Sequence, residues 1–261
     1  MTGRQANGPA GGQAGRPAGR PHRAWLFVLF IAMWPLDAIA QDTDHGGHTV
    51  HDRAINFQVL FDQFEWQFVH GEPGSRWDGR TWIGGDRNRL WIRTEGDAVD
   101  GVLDTAEAQV LFGRSVGRWW DVVAGVRFDA RPEPAHTWLA IGVQGLAPQF
   151  LEVQATAFIG PSGHTAARLE VEYDLLLTQR LVLQPLVELS LAGKDDPDRG
   201  IAAGLSTGEV GFRLRYEFRR EAAPYAGVVW HRKLFGTGDY ARELGEDVGG
   251  WHVVAGLRFW F

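Results

Sequence analysis

In the segment Gln41-Asp-Thr-Asp-His-Gly-Gly-His-Thr-Val-His-Asp52, three histidines fall at every third position: His45, His48 and His51. Imidazole nitrogen is a good ligand for Cu(II), Zn and Ni, and Asp42, Asp44 and Asp52 add oxygen donors. The paired glycines let such a tail wrap an ion without a preformed scaffold, although the same composition also suits a plain polar leader. His231 and His252 fall on neighbouring predicted strands with the same facing. With a nearby carboxylate they make a second candidate metal station, and the inward Glu65 is a further candidate metal residue, while a lone inward histidine is also a common hydrogen-bonded wall residue. The sequence contains no cysteine, and its two methionines, Met1 and Met33, both precede the tail. A thiolate or thioether site is therefore excluded downstream, which favours Cu(II) over Cu(I). His70, His136 and His164 lie near predicted loops, where capture of an ion from outside is conceivable. Ser162 and His164 stand two apart as a nucleophile and base would, but Pro161 and Gly163 mark a turn there. No catalytic residue is assigned and the chain is not expected to be an enzyme.

These side chains need strands to position them. From Asn56 to Phe261 the sequence breaks into short alternating segments separated by Gly, Pro, Asp and Asn clusters, the period-two pattern of β-structure. Val210, Phe212, Leu214, Tyr216 and Phe218 share one face of their segment, and Glu209, Arg213, Arg215 and Glu217 share the other. Leu169, Val171, Tyr173 and Leu175 alternate in the same way with Arg168, Glu170, Glu172 and Asp174. A helix would mix these faces, whereas a strand separates them. Strands are expected at 55–69, 76–84, 88–96, 103–114, 119–129, 136–146, 149–159, 165–177, 180–192, 206–219, 223–235 and 250–261. That is twelve, with ten tenable.

The connections after even-numbered segments are short. Those after odd ones include the two longest, Gly193 to Leu205 and Gly236 to Gly249. Short turns at one end, long loops at the other and an even strand count fit an outer-membrane barrel. A soluble β-sandwich also alternates. Here, however, charge lines the face opposite the apolar one, and aromatics (Trp66, Phe68, Trp77, Trp119, Trp120, Trp138, Phe150, Trp230, Trp251, Phe259, Phe261) gather near strand ends, where rings settle at bilayer interfaces. The last segment presents Trp251, Val253, Ala255, Leu257, Phe259 and Phe261 on one face, resembling the signal read by the barrel-assembly machinery. The expected fold is all-β, a transmembrane antiparallel up-and-down β-barrel. The first strand must pair with the last, because backbone polar groups find no water in hydrocarbon.

Inside such a barrel Gln63, Glu65 and Gln67 face the lumen on the first strand, opposite Phe64, Trp66 and Phe68, and Asp62 fits neither face without a bulge. Asp78, Arg80 and Trp82, then Arg89, Trp91, Arg93 and Glu95, are also predicted inward. The plainer expectation is that Glu65, Glu95, Glu107, Glu152, Glu170, Glu172, Glu188, Glu209 and Glu217 pair with Arg80, Arg93, Arg127, Arg168, Arg213, Arg215 and Arg258 and regulate the aperture. The sharper one is that some carboxylates form a cation pathway.

Residues 1–40 read as a signal peptide: Arg4, Arg16, Arg20 and Arg23, an apolar run from Ala24 to Trp34 too short to span a bilayer, and the cleavage motif Ala38-Ile39-Ala40. The expected organisation is 1–40 signal peptide, 41–54 His-containing periplasmic tail and 55–261 barrel in the cell outer membrane. The whole sequence has 26 basic and 32 acidic residues, and cleavage after Ala40 leaves 22 and 31. An acidic chain whose only lysines are Lys194 and Lys233 has no polybasic patch, which excludes nucleic acid as a partner.

Phe61-Asp-Gln-Phe-Glu-Trp66, Trp77-Asp-Gly-Arg-Thr-Trp-Ile-Gly-Gly-Asp86 and Asn88-Arg-Leu-Trp-Ile-Arg-Thr-Glu-Gly96 resemble the copper-resistance protein B family, as do Tyr225-Ala-Gly-Val-Val-Trp230 and the closing Trp251 to Phe261. The resemblance covers nearly all of the region from Asn56 onward. It implies an outer-membrane barrel of copper-resistance operons that binds copper ions and sequesters or passes them, working beside periplasmic copper-binding proteins and a multicopper oxidase. Many members carry a longer Met- and His-rich N-terminal region, whereas only the short His tail stands here. A general structural or porin-like barrel without metal selectivity is the alternative.

Overall fold

The computed structural model describes residues 55–69, 72–219 and 221–261. The predicted signal peptide and the tail bearing His45, His48 and His51 lie outside the described residues, as does His70.

Thirteen strand segments form one antiparallel sheet: β1 Asn56–Val69, β2 Glu72–Gly84, β3 Asn88–Val99, β4 Val102–Ser115, β5 Trp120–Arg131, β6 His136–Ala147, β7 Leu151–Ile159, β8 Thr165–Glu172, β9 Leu175–Leu176, β10 Leu181–Ala192, β11 Gly204–Tyr216, β12 Ala222–Lys233 and β13 Gly249–Trp260. β8 and the two-residue β9 both pair with β10 and act as one stave. The result is a closed twelve-strand barrel, the number expected from the sequence. Closure joins β1 to β13, with Phe61 opposite Phe259 and Trp66 opposite Ala255. The seam ends in a reciprocal pair in which the Val59 amide donates to the Phe261 carbonyl at 3.0 Å and the Phe261 amide donates back at 2.8 Å.

Alternation sorts the side chains. Phe64, Trp66 and Phe68 on β1, Phe212, Leu214 and Tyr216 on β11, and Trp251 and Val253 on β13 are exposed outward, forming the surface that meets lipid. Between them Glu65, Glu209, Arg213 and Arg215 are buried inside. The register slips at Asp62: Phe61 faces Gly79 and Gln63 faces Asp78, leaving Asp62 unmatched on β2. This bulge turns Asp62 and Gln63 inward in succession, which resolves the face that Asp62 could not otherwise take.

Two features depart from the sequence reading. Trp138 does not sit at the bilayer interface: it turns inward and donates Nε1–H to Asp129 Oδ2 at 2.9 Å. There it joins Leu111, Val123, Ala140 and Phe158 in an apolar patch on the β4–β7 side of the lumen. The long Gly236–Gly249 connection is not simple loop, because Phe235–Leu244 forms a helix, α1. Two glycines in the stretch disguise it, being poor helix formers. Gly245, at φ 71°, ends it in the left-handed conformation, its amide satisfying the Ala241 and Arg242 carbonyls. α1 is pinned across the loop end, where Thr237 Oγ1 accepts from the Ala202 amide at 3.0 Å and the Leu234 amide reaches the Ser206 carbonyl at 2.8 Å. The β5–β6, β7–β8, β10–β11 and β12–β13 connections share this end, opposite the end where the β1–β13 seam finishes. Long loops mark the extracellular side of such barrels.

Candidate functional site

The inward positions of facing staves fill the lumen with opposite charges. Arg168 on β8 reaches Glu95 on β3 at 2.8 Å, Glu107 on β4 at 2.9 Å and Glu188 on β10 at 3.3 Å. From β2, Arg76 extends the chain from Glu95 at 2.9 Å to Glu209 on β11 at 2.5 Å. Arg213 then joins Glu209 at 3.7 Å to Glu65 at 2.5 Å. A guanidinium–carboxylate lattice thus crosses the lumen from β10 to β1.

A branch runs toward the loop end. Arg127 contacts Glu107 at 2.8 Å and Asp129 at 2.5 Å, and Arg199 from the β10–β11 connection reaches Asp129 at 3.0 Å. The Arg127 guanidinium also stacks over Phe158 at 4.7 Å, tying the lattice to the apolar patch. Nearer the opposite end, Asp62 accepts from Arg258 at 2.5 Å and lies 3.8 Å from Arg80, which approaches Glu152 on β7 at 3.7 Å.

Taking these charges out of water costs several kcal/mol per ion, in order of magnitude, unless each meets an opposite charge or a hydrogen bond. The lattice gives most of these charges an opposite partner, as alternation leads one to expect, while Arg93 meets the side-chain oxygen of Gln144 instead of a carboxylate. Glu170 and Glu172 are held differently, by the amides of Gln154 (2.9 Å) and Gln184. Amid Asp78, Arg80, Arg93, Arg168 and Glu170 the side chains leave a cavity of about 40 Å³, room for a few waters.

His231 and His252 both turn inward on adjacent staves. His231 opposes Gly250 and His252 opposes Val229, so the two residues sit on a diagonal, about 7–8 Å apart in such an arrangement. Glu209 opposes His231 from the other side. Glu65 is placed elsewhere, with Arg213 and with Gln63, whose side-chain oxygen accepts from Arg213 at 3.2 Å. The structure therefore does not join Glu65 to the histidine pair.

Several important residues escaped the sequence. Arg76 shares the parity of Asp78 and Arg80 but opens its predicted segment. Asp196 and Arg199 lie in a connection with no periodicity to read. At the loop end His136 and His164 approach to 5.9 Å between ring centroids beside the buried Asp196.

The family model described as "Copper resistance protein B precursor (CopB)" matches residues 55–261. The chain is 52% identical over 225 residues to a Copper resistance protein B homolog of Pseudomonas syringae pv. tomato (strain ATCC BAA-871 / DC3000), covering 86% of this chain and 76% of that one. It is 48% identical over 215 residues to Copper resistance protein B of Escherichia coli, covering 82% and 73%. Among solved structures, the NanC porin superposes with a TM-score of 0.52 at 12% identity, over 78% of this chain and 99% of that one, a likeness of fold alone.

Proposed function

The chain belongs to the copper resistance protein B family, and from that premise we propose that this outer-membrane barrel binds copper ions and retains them at the membrane instead of conducting them freely. The crossed lumen carries this reading: an ion lattice joins facing staves across the space that a hydrated cation would have to traverse. Passage would require the Arg168 and Arg76 links to part. Cu(II) is the ion best suited to the donors, since the chain beyond residue 40 offers nitrogen and oxygen but no sulfur. His45, His48 and His51 make the first contact, and His231 with His252 offers a second station inside. The role is binding without catalysis, with copper passed on to periplasmic copper-binding proteins or a multicopper oxidase.

The test combines binding with flux. Detergent-purified mature protein is expected to take up Cu(II), and replacing His45, His48 and His51 by Ala should weaken uptake by at least about tenfold, as loss of ligands does, while leaving the barrel folded. In vesicles, wild-type barrels should pass copper and unrelated divalent cations slowly. Rapid flux of all of them at equal rates would favour the porin-like alternative, and unaltered copper binding by the triple variant would remove the tail from the mechanism.

A further inference from the structure

We propose that His136, His164 and Asp196 form a binding site for one divalent transition-metal ion at the outer mouth, separate from the tail histidines. The proposal deepens the reading above and rests on it only for the choice of copper. Two imidazoles and a carboxylate suit any borderline divalent ion, Cu(II) and Zn(II) foremost.

Three separate elements supply the donors. His136 opens β6, His164 follows the Pro161–Gly163 turn into β8, and Asp196 lies in the β10–β11 connection. That connection is fixed at both ends: the Gly193 amide donates to the Thr165 carbonyl at 2.7 Å, and Asp196 and Ile201 exchange backbone hydrogen bonds of 2.7 and 2.9 Å. Asp196 Oδ2 stands 3.6 Å from His164 Nδ1 and 3.9 Å from His136 Nδ1, and one donor atom from each of the three residues lies within 4.8 Å of the other two. Donors bound to one ion at about 2.0–2.2 Å are roughly 3–3.4 Å apart, so these need to draw in by roughly an ångström.

A second observation points to a ligand. His164 Nδ1 is shielded from solvent and has no hydrogen-bond partner in the structure. Leaving such a nitrogen unsatisfied is unfavourable, and a bound ion removes that cost. Arg199 adds a coupling. Its guanidinium donates to His136 Nδ1 at 3.2 Å and to Asp129 Oδ2 at 3.0 Å, so His136 presents a lone pair toward the cluster. An ion that takes this lone pair turns Arg199 wholly to Asp129, the end of the branch leading through Arg127 and Glu107 to Arg168. Occupancy at the mouth is thereby linked to the pairing that crosses the lumen.

The experiment uses detergent-purified mature protein with His45, His48 and His51 all replaced by Ala, titrated with Cu(II) alone and with Zn(II) alone. Calorimetry reads affinity, and the Cu(II) paramagnetic resonance spectrum reads coordinated nitrogen. One ion per barrel with two-nitrogen coordination is expected. His164→Ala, His164→Gln and Asp196→Asn should each weaken binding by at least about tenfold, with the His164 variants reduced to one nitrogen. Heat-modifiable gel mobility confirms that each variant is folded, and the size-conserving His164→Gln guards against a packing effect. Unchanged affinity and spectrum in folded His164 variants would overturn the site. If the full chain binds copper but the tail variant binds neither ion, the mouth site is overturned and the copper reading stands. If Zn(II) binds at the mouth while the full chain takes no copper, the site is supported and the copper reading fails.

Discussion

In the lumen, Glu65 and Arg213 sit 2.5 Å apart, with side chains 0% and 1% exposed. At the mouth, His164 and Asp196 face each other across 3.6 Å and His164 Nδ1 has no hydrogen-bond partner. Both regions are built from polar side chains brought together by elements distant in sequence, yet the Glu65 carboxylate has a guanidinium against it, while the Asp196 carboxylate at the mouth has imidazoles at 3.6 and 3.9 Å. In a lipid-bounded cylinder the interior must offset the charges it buries, so a carboxylate set among imidazoles is found where the wall ends, and the imidazoles of His231 and His252 are what the interior offers an ion.

The largest effect that could break this contrast is at Glu65. Replacing Arg213 by Ala strands a buried carboxylate, which should cost about 3–5 kcal/mol, read as a lowered urea midpoint for the barrel in lipid vesicles. The double variant Arg213→Met with Glu65→Leu should recover most of that loss, since matched apolar groups replace buried pairs at little cost. A single-variant loss below about 1 kcal/mol, the size of an exposed pair, would mean that the lattice is incidental.

Arg168→Gln gives a smaller change in stability and a larger one in permeation. Arg168 is shared by Glu95, Glu107 and Glu188, so its removal leaves three carboxylates around the same space without their common cation. Stability should fall by about 1–3 kcal/mol, as when charged hydrogen bonds are lost, and planar-bilayer recordings should show raised, cation-selective conductance. Conductance equal to wild type would show that this link does not control the aperture.

Much of this architecture can be read from period two alone. Alternation sets which residues face inward, and this was enough for the twelve staves, the bulge at Asp62 and the charged lumen. It does not set which inward residues meet, because that depends on strand stagger and barrel width. Arg76 therefore does not stand out in the sequence although Arg80, of the same parity, does, and parity does not reveal that Glu65 meets Arg213. Trp138 has the inward parity of its strand, but its composition suggested an interfacial ring, and the hydrogen bond to Asp129 that rewards burial spans two strands. The loops carry no period. His136 and His164 were legible as histidines near a mouth, while Asp196 acquires meaning only once the β10–β11 connection folds back onto β8.

The smallest predicted effect sharpens the contrast by holding the chemistry constant. Lys233, at the end of β12, contacts Glu246, just beyond α1, at 2.8 Å, close to the Arg213–Glu65 distance, but the two side chains are 31% and 53% exposed. Water solvates both partners when the link is cut, and salt screens their attraction. Lys233→Ala should therefore cost less than about 1 kcal/mol, and the loss should shrink as ionic strength rises. The Arg213→Ala loss should be nearly independent of salt, because its stranded carboxylate lies beyond the reach of mobile ions. If the two variants showed equal losses with equal salt dependence, water would be entering the lumen as freely as the loops, and the barrel would have to be regarded as an open, solvated pore.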